Sequence, residues 1–127
     1  MKKETNKWLS IAREDREMAE DTLKSKRYVY ALMFWQQAVE KIIKCFIIEN
    51  ASVMPKKTHD IDELLKQAKL DIGEIKYKQV KELSLAFIRT RYDDLSRQYY
   101  AKKTVVMPLI NQAQKIFIWI EKKLTNK

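Results

Sequence analysis

Glycine is almost missing from this chain: among 127 residues Gly73 is the only one, and Pro55 and Pro108 are the only prolines. Tight turns draw on both residue types, so a sheet protein of this length is excluded, and so is a Gly-rich phosphate-binding loop. Cys45 is the only cysteine, which leaves no internal disulfide, and Met1-Lys2-Lys3-Glu4 lacks the apolar stretch of a secretory signal. A reducing cytoplasm is the expected location. Long hydrophobic runs are missing too. The longest wholly apolar stretch, Tyr28 to Trp35, is far shorter than the roughly 20 residues that cross a bilayer, and no membrane partner is expected. One histidine, His59, one distant cysteine and no spaced carboxylate set make no recognisable ligand group, so neither a metal nor another cofactor is expected.

What is present in abundance is Lys, Glu, Gln, Leu, Ala and Ile, the residues that favour helices. The expected class is all-α, and the length suits one domain over residues 1–127 with a core large enough to stand without crosslinks. Net charge is +9, from 26 Lys and Arg against 17 Asp and Glu, a balance that favours polyanionic partners. The lysines fall in separate clusters, at Lys24 to Arg27, Lys56 and Lys57, Lys76 to Lys81, Lys102 and Lys103, and Lys122 and Lys123. They form either a solvating coat or a phosphate-binding stripe.

Helical spacing predicts five helices. Trp8, Ile11, Ala12, Asp15, Met18, Ala19, Thr22 and Leu23 trace the inner face of the first, from about Thr5 to Lys24. The second, Tyr28 to Asn50, is apolar around most of its circumference and is the central element. Asp60 is a candidate N-cap for a short third helix, with Glu63 as its capping-box partner and Ile61, Leu64, Leu65 and Ala68 on its buried face. After a turn at Gly73, Tyr77, Val80, Leu83, Ser84, Phe87, Ile88 and Arg91 trace the inner face of a fourth helix. Tyr92 to Thr104 reads as a loop with a helical turn near Leu95 to Tyr99. A last helix runs from about Val105 to Leu124 with Pro108 in its first turn. Four long helices and one short one, joined by brief loops, make an up-and-down bundle.

Polar groups interrupt these faces. Gln36, Gln37, Glu40 and Lys41 sit within the central helix, Asp15 stands where a hydrophobe belongs, and Arg91 closes the stripe of helix four. A buried arginine needs a carboxylate, which Asp15, Glu40 or Asp94 can supply. The cluster of Asp15, Glu40 and Arg91 is either a structural ion-pair network or the wall of a ligand pocket. His59 is the only side chain whose ordinary pKa suits proton transfer near neutrality, although a histidine beside a helix cap also serves a turn. Tyr28, Tyr30, Phe34 and Trp35 lie at core spacing, whereas Tyr92, Tyr99 and Tyr100, in a basic loop, are candidates for contact with a ligand or partner.

In order and spacing, Trp8, Ala12 and Asp15, then Phe34-x-x-Gln37-Ala38-x-Glu40-Lys41, then Thr58-His59-Asp60-Ile61, then Arg91-Tyr92-Asp93-Asp94 resemble a HEPN domain, the helical family named for higher eukaryotes and prokaryotes nucleotide-binding. The resemblance covers nearly the whole chain. It implies a bundle of four or five helices, a homodimer, and a partnership with a small nucleotidyltransferase, here a separate polypeptide. Many HEPN relatives are ribonucleases in which a histidine follows an arginine by four to six residues. No histidine follows Arg89 or Arg91, and Asp93 replaces the proline of the family's Arg-Tyr-Pro-Asp segment.

The expected function is therefore a non-enzymatic, self-associating module that binds a nucleotide or nucleotide-like anion through Gln37, Glu40, Lys41, His59, Asp60, Arg91, Tyr92 and Asp94. Arg91 is the anion clamp, His59 and Gln37 orient the ligand, and Asp15 or Glu40 holds the arginine. Two rival readings are a metal-independent, toxin-like ribonuclease using His59 and Arg91, and a basic toxin- or antitoxin-like protein that grips RNA or an acidic surface without chemistry.

Overall fold

The computed structural model describes residues 1–51, 53–91 and 94–126, with the side chains of 94–96 left aside. Six α-helices and one 3-10 turn make up the described residues, and no strand is among them. They are α1 (Lys3–Lys24), α2 (Tyr28–Asn50), α3 (Ile61–Ala68), the 3-10 turn (Ile72–Ile75), α4 (Lys81–Arg89), α5 (Asp94–Tyr99) and α6 (Lys103–Thr125). The all-α bundle expected from the sequence is what forms.

Helix α2 is the axis of the bundle, meeting α1, α3, α4 and α6. Its Leu32, Trp35, Val39, Ile42, Ile43 and Ile47 are all buried, so apolar contacts surround it on most sides. Against it α6 sets Ile110, Ile116, Phe117 and Ile120, with the Phe117 ring edge-on to Trp35 at 6.3 Å. Truncating such residues costs about 2–5 kcal/mol each.

Helices α1 and α2 run antiparallel. Thr5 Oγ1 donates to Glu49 Oε1 at 2.8 Å, the Lys2 backbone N–H reaches the same oxygen at 2.9 Å, and the Cys45 thiol donates to the Thr5 carbonyl at 3.3 Å. On another face of α1, Arg13 and Arg16 both bind Glu121 of α6, at 2.7 and 3.3 Å. Helix α1 is thereby tied to both long neighbours by polar contacts at the edge of the core.

A chain with one glycine must make its left-handed turns with other residues. Lys26, Lys69 and Lys76 take φ of 61°, 57° and 66°. At the end of α1, Lys26 N–H reaches Leu23 O at 2.9 Å and Arg27 N–H reaches Thr22 O at 3.1 Å, the paired bonds that close a helix C-terminus. Gly73 itself has no positive φ; its N–H is held by Asp71 Oδ1 at 2.8 Å, opening the 3-10 turn.

Several sequence expectations need correction. Ile11, Met18 and Ile88, placed on inner faces, are 37%, 48% and 56% exposed. The buried face of α4 comprises Leu83 and Ala86, continued by Val80 and Thr90 just beyond the helix ends. Small Ala86 admits a close approach to the core and turns Ile88 outward. Tyr100 is buried rather than a surface contact, with its hydroxyl accepting from Arg89 Nη1 at 3.4 Å, whereas Tyr30 is exposed beneath Arg97. Helix α6 begins two residues earlier than expected, so Pro108 falls in its second turn and cannot donate to the Thr104 carbonyl. The capping box of α3 is half formed: Asp60 Oδ1 accepts from Asp62 and Glu63 N–H, but the Asp60 N–H goes to Thr58 Oγ1 at 3.1 Å.

Candidate functional site

Four residues apart on α2, Gln36 and Glu40 share one side of the helix and both are buried. The Gln36 amide donates to Glu40 Oε2 and, at 3.3 Å, to the backbone carbonyl of His59. One side chain therefore holds the carboxylate and the segment leading into α3 together. His59 Nδ1 lies 3.0 Å from Glu40 Oε1. An ionised carboxylate only accepts, so this contact puts the proton on Nδ1 and leaves Nε2 facing outward. Lys44 Nζ is 3.9 Å from the same oxygen. A carboxylate only 5% exposed meets a costly environment unless it is paired, and Glu40 has three partners.

Helix α4 supplies the other wall. The His59 imidazole lies on the Phe87 ring with centroids 3.5 Å apart and planes 11° from parallel, and the Arg91 guanidinium carbon is 3.9 Å from the same ring centre. Arg91 also donates to the Phe87 carbonyl. Guanidinium and imidazole both favour aromatic faces, so Phe87 positions two groups that the chain keeps 32 residues apart.

These side chains open onto a cavity of about 430 Å³ lined by Trp8, Gln37, Glu40, Lys41, Lys44, His59, Phe87 and Arg91. Its size is in the range of small-molecule sites. A depression of about 470 Å³ along α1 is larger, but Asn6, Leu9, Ser10, Arg13, Glu14 and Glu17 all come from one helix and bring no converging groups.

Of the residues expected at a site, Gln37, Glu40, Lys41, His59 and Arg91 share this cavity. Asp60 caps α3 and lines an adjoining one. Asp15 does not line it; its carboxylate binds Lys41 Nζ, so it touches the site through that lysine. The expected holding of Arg91 by Asp15 or Glu40 takes a different form: Glu40 engages Gln36, His59 and Lys44, and Arg91 rests on Phe87. Tyr92 and Asp93 lie outside the described residues, as does the Asp94 side chain. Sequence reasoning passed over Gln36, Trp8, Lys44 and Phe87 as site residues. Lys44 follows Glu40 by one helical turn, a spacing that pointed to it. Within α3's first turn, burial and then the charge of Asp60 hold the Asp62 carboxyl above its usual range. Among the described residues, no group of three or more His, Cys, Asp or Glu is placed to hold a metal ion, and no helix is long and apolar enough to cross a membrane.

A sequence model of the HEPN domain matches residues 5–123. The chain belongs to the HEPN domain family. A solved HEPN-like fold, TT1696 from Thermus thermophilus, is similar over 94% of this chain and 97% of its own, with 26% identity and a TM-score of 0.73. No curated protein matches the sequence. Within the HEPN frame the histidine of this chain precedes α3, ahead of Arg91 in sequence rather than behind it.

Proposed function

We propose that this HEPN chain binds a nucleotide or nucleotide-like anion in the cavity between α2, α4 and the segment before α3, without cleaving it. The observation that carries this reading is the convergence of Lys41, Lys44 and Arg91 on one cavity with a single carboxylate, Glu40, among its lining residues. Phosphate oxygens match such cations, Arg by its planar fork and Lys as a point charge. Trp8 and Phe87 add apolar surface that inorganic anions do not need. His59, fixed by Glu40 through Nδ1, offers Nε2 to the ligand. Asp15 keeps Lys41 extended along the wall. Self-association, and action beside a separate nucleotidyltransferase, complete the proposal by analogy with the family.

Titration calorimetry with ATP and other nucleotides tests it. Binding by the wild-type chain that weakens at least ten-fold in Arg91→Ala and in Lys44→Ala supports the reading. No heat with any nucleotide, from protein that is folded, overturns it.

One observation favours a second reading. His59 and Arg91, far apart in sequence, stack on the same Phe87 ring, which gives a proton carrier and a charge clamp side by side, as metal-independent RNA cleavage requires. RNA cleavage by the purified protein that disappears in His59→Ala would replace the non-catalytic proposal with this one.

A further inference from the structure

The rings that bound the cationic cavity also wall a second one. His59 and Phe87 line both, and the second, about 330 Å³, is completed chiefly by Thr58, Ser84, Leu85 and Ile88. Its chemistry differs: apart from Asp60 at its edge, its lining carries no charged group beyond the shared imidazole, and it includes two aliphatic side chains and two hydroxyls.

The order of the stack follows from its spacings. An imidazole centred 3.5 Å from Phe87 and within 11° of parallel covers one face of that ring. The guanidinium carbon, at 3.9 Å from the same centre, must take the other face. The layers run Arg91, Phe87, His59, and the outermost of them, His59, has 56% of its side chain exposed. A flat ring can extend the stack there. Ile88 stands exposed at the rim of the second cavity, an aliphatic group that the core does not use. Thr58 Oγ1 accepts from Asp60 N–H at 3.1 Å and Ser84 Oγ accepts from Ile61 N–H at 3.0 Å. Each hydroxyl is oriented by that bond and keeps its own proton to donate, which suits the ring nitrogens and carbonyls of a heterocycle.

We infer that the second cavity takes the base of a single nucleoside phosphate, stacked on the outer face of His59 and edged by Thr58 and Ser84, while its phosphates lie among Lys41, Lys44 and Arg91. This rests on the nucleotide reading above and adds a base subsite to it. A lone slot also selects a mononucleotide over an RNA strand, because sequence-tolerant strand binding uses successive stacking platforms, and only one is built here.

Calorimetry with ATP and with inorganic tripolyphosphate, on the wild-type chain, Ile88→Asn and Lys44→Ala, separates the two layers of the argument. ATP is expected to bind about ten-fold more tightly than tripolyphosphate, the difference a stacked base makes. Ile88→Asn removes most of that difference and leaves tripolyphosphate unchanged, while Lys44→Ala weakens both. Leu85→Ala moves ATP in the same direction as Ile88→Asn by a smaller factor, and retained tripolyphosphate binding shows that each variant is folded. Equal affinity of the wild type for ATP and tripolyphosphate, or an ATP affinity indifferent to Ile88→Asn and Leu85→Ala, overturns the base subsite and leaves the anion cavity standing. Absence of binding by both ligands overturns the two together.

Discussion

His59 lies flat against Phe87, 3.5 Å between ring centres, and this contact joins the segment before α3 to the last turn of α4. Neither residue's position follows from its own helix. Substituting Phe87→Leu keeps an apolar side chain but removes the face on which imidazole and guanidinium rest. Aromatic pairing and cation–π contact are worth about 0.5–1.5 kcal/mol each, so thermal unfolding should show a loss of about 1–2 kcal/mol. Nucleotide affinity should fall by roughly ten-fold. Unchanged stability and affinity would mean that the stack has no energetic role.

Glu40 sets a second test, because its two natural replacements separate packing from charge. Glu40→Ala leaves the Gln36 amide and His59 Nδ1–H without their acceptor, at about 1–3 kcal/mol for each buried group stranded. Glu40→Gln retains an acceptor oxygen and should cost less in denaturant unfolding. It also deletes the carboxylate that repels phosphate from the cavity. Under the binding proposal, Glu40→Gln should therefore hold tripolyphosphate more tightly than the wild type, a gain that calorimetry at low salt reads directly.

Lysine in a left-handed backbone is strained by its Cβ. Lys26→Gly and Lys69→Gly relieve that strain at positions where φ is 61° and 57°, against a greater entropy loss for glycine on folding. The expected net is a gain of about 0.5–1 kcal/mol for each, or a few degrees in Tm. Gly73→Ala is the contrasting case: a Cβ there meets Asp71 Oδ1 at 3.0 Å, crowding the carboxylate that caps the 3-10 turn. It should not stabilise.

Burial, followed by the charge of Glu49, pushes the Cys45 thiol from 9.0 up to about 12. The thiolate is the reactive form, so a thiol reagent at pH 8 should label native protein very slowly and unfolded protein fast. The folded state holds this proton more tightly than the unfolded chain does. The contribution of Cys45 to stability is thus complete below pH 9 and declines as pH rises towards 12. Cys45→Ala should flatten that alkaline decline in denaturant titrations.

Much of the bundle was legible because α2 announces itself: a helix apolar on most sides has to be central, and its ends fell where expected, at Tyr28 and Asn50. Three of its polar residues, Gln37, Glu40 and Lys41, were also correctly placed at a common cavity. The other wall was harder to read. Core-facing and cavity-facing residues share the same three-and-four spacing, so Phe87 and Trp8 were indistinguishable from packing residues. In α4 the buried line runs through Ala86 and Thr90, whose small or polar side chains give little hydrophobic signal. The preference for Gln37 over its neighbour Gln36 had a similar cause, since one residue along a helix turns the side chain by roughly 100° and the pattern alone did not fix which glutamine met Glu40.

Gln36 ends with both amide hydrogens engaged and its carbonyl oxygen buried without a hydrogen-bond partner among the described residues. The interior thus tolerates a thirsty oxygen for the sake of where the nitrogen points. Gln36→Met should consequently yield a sturdier bundle whose imidazole wanders, a sign that selection favoured aim over toughness at this spot.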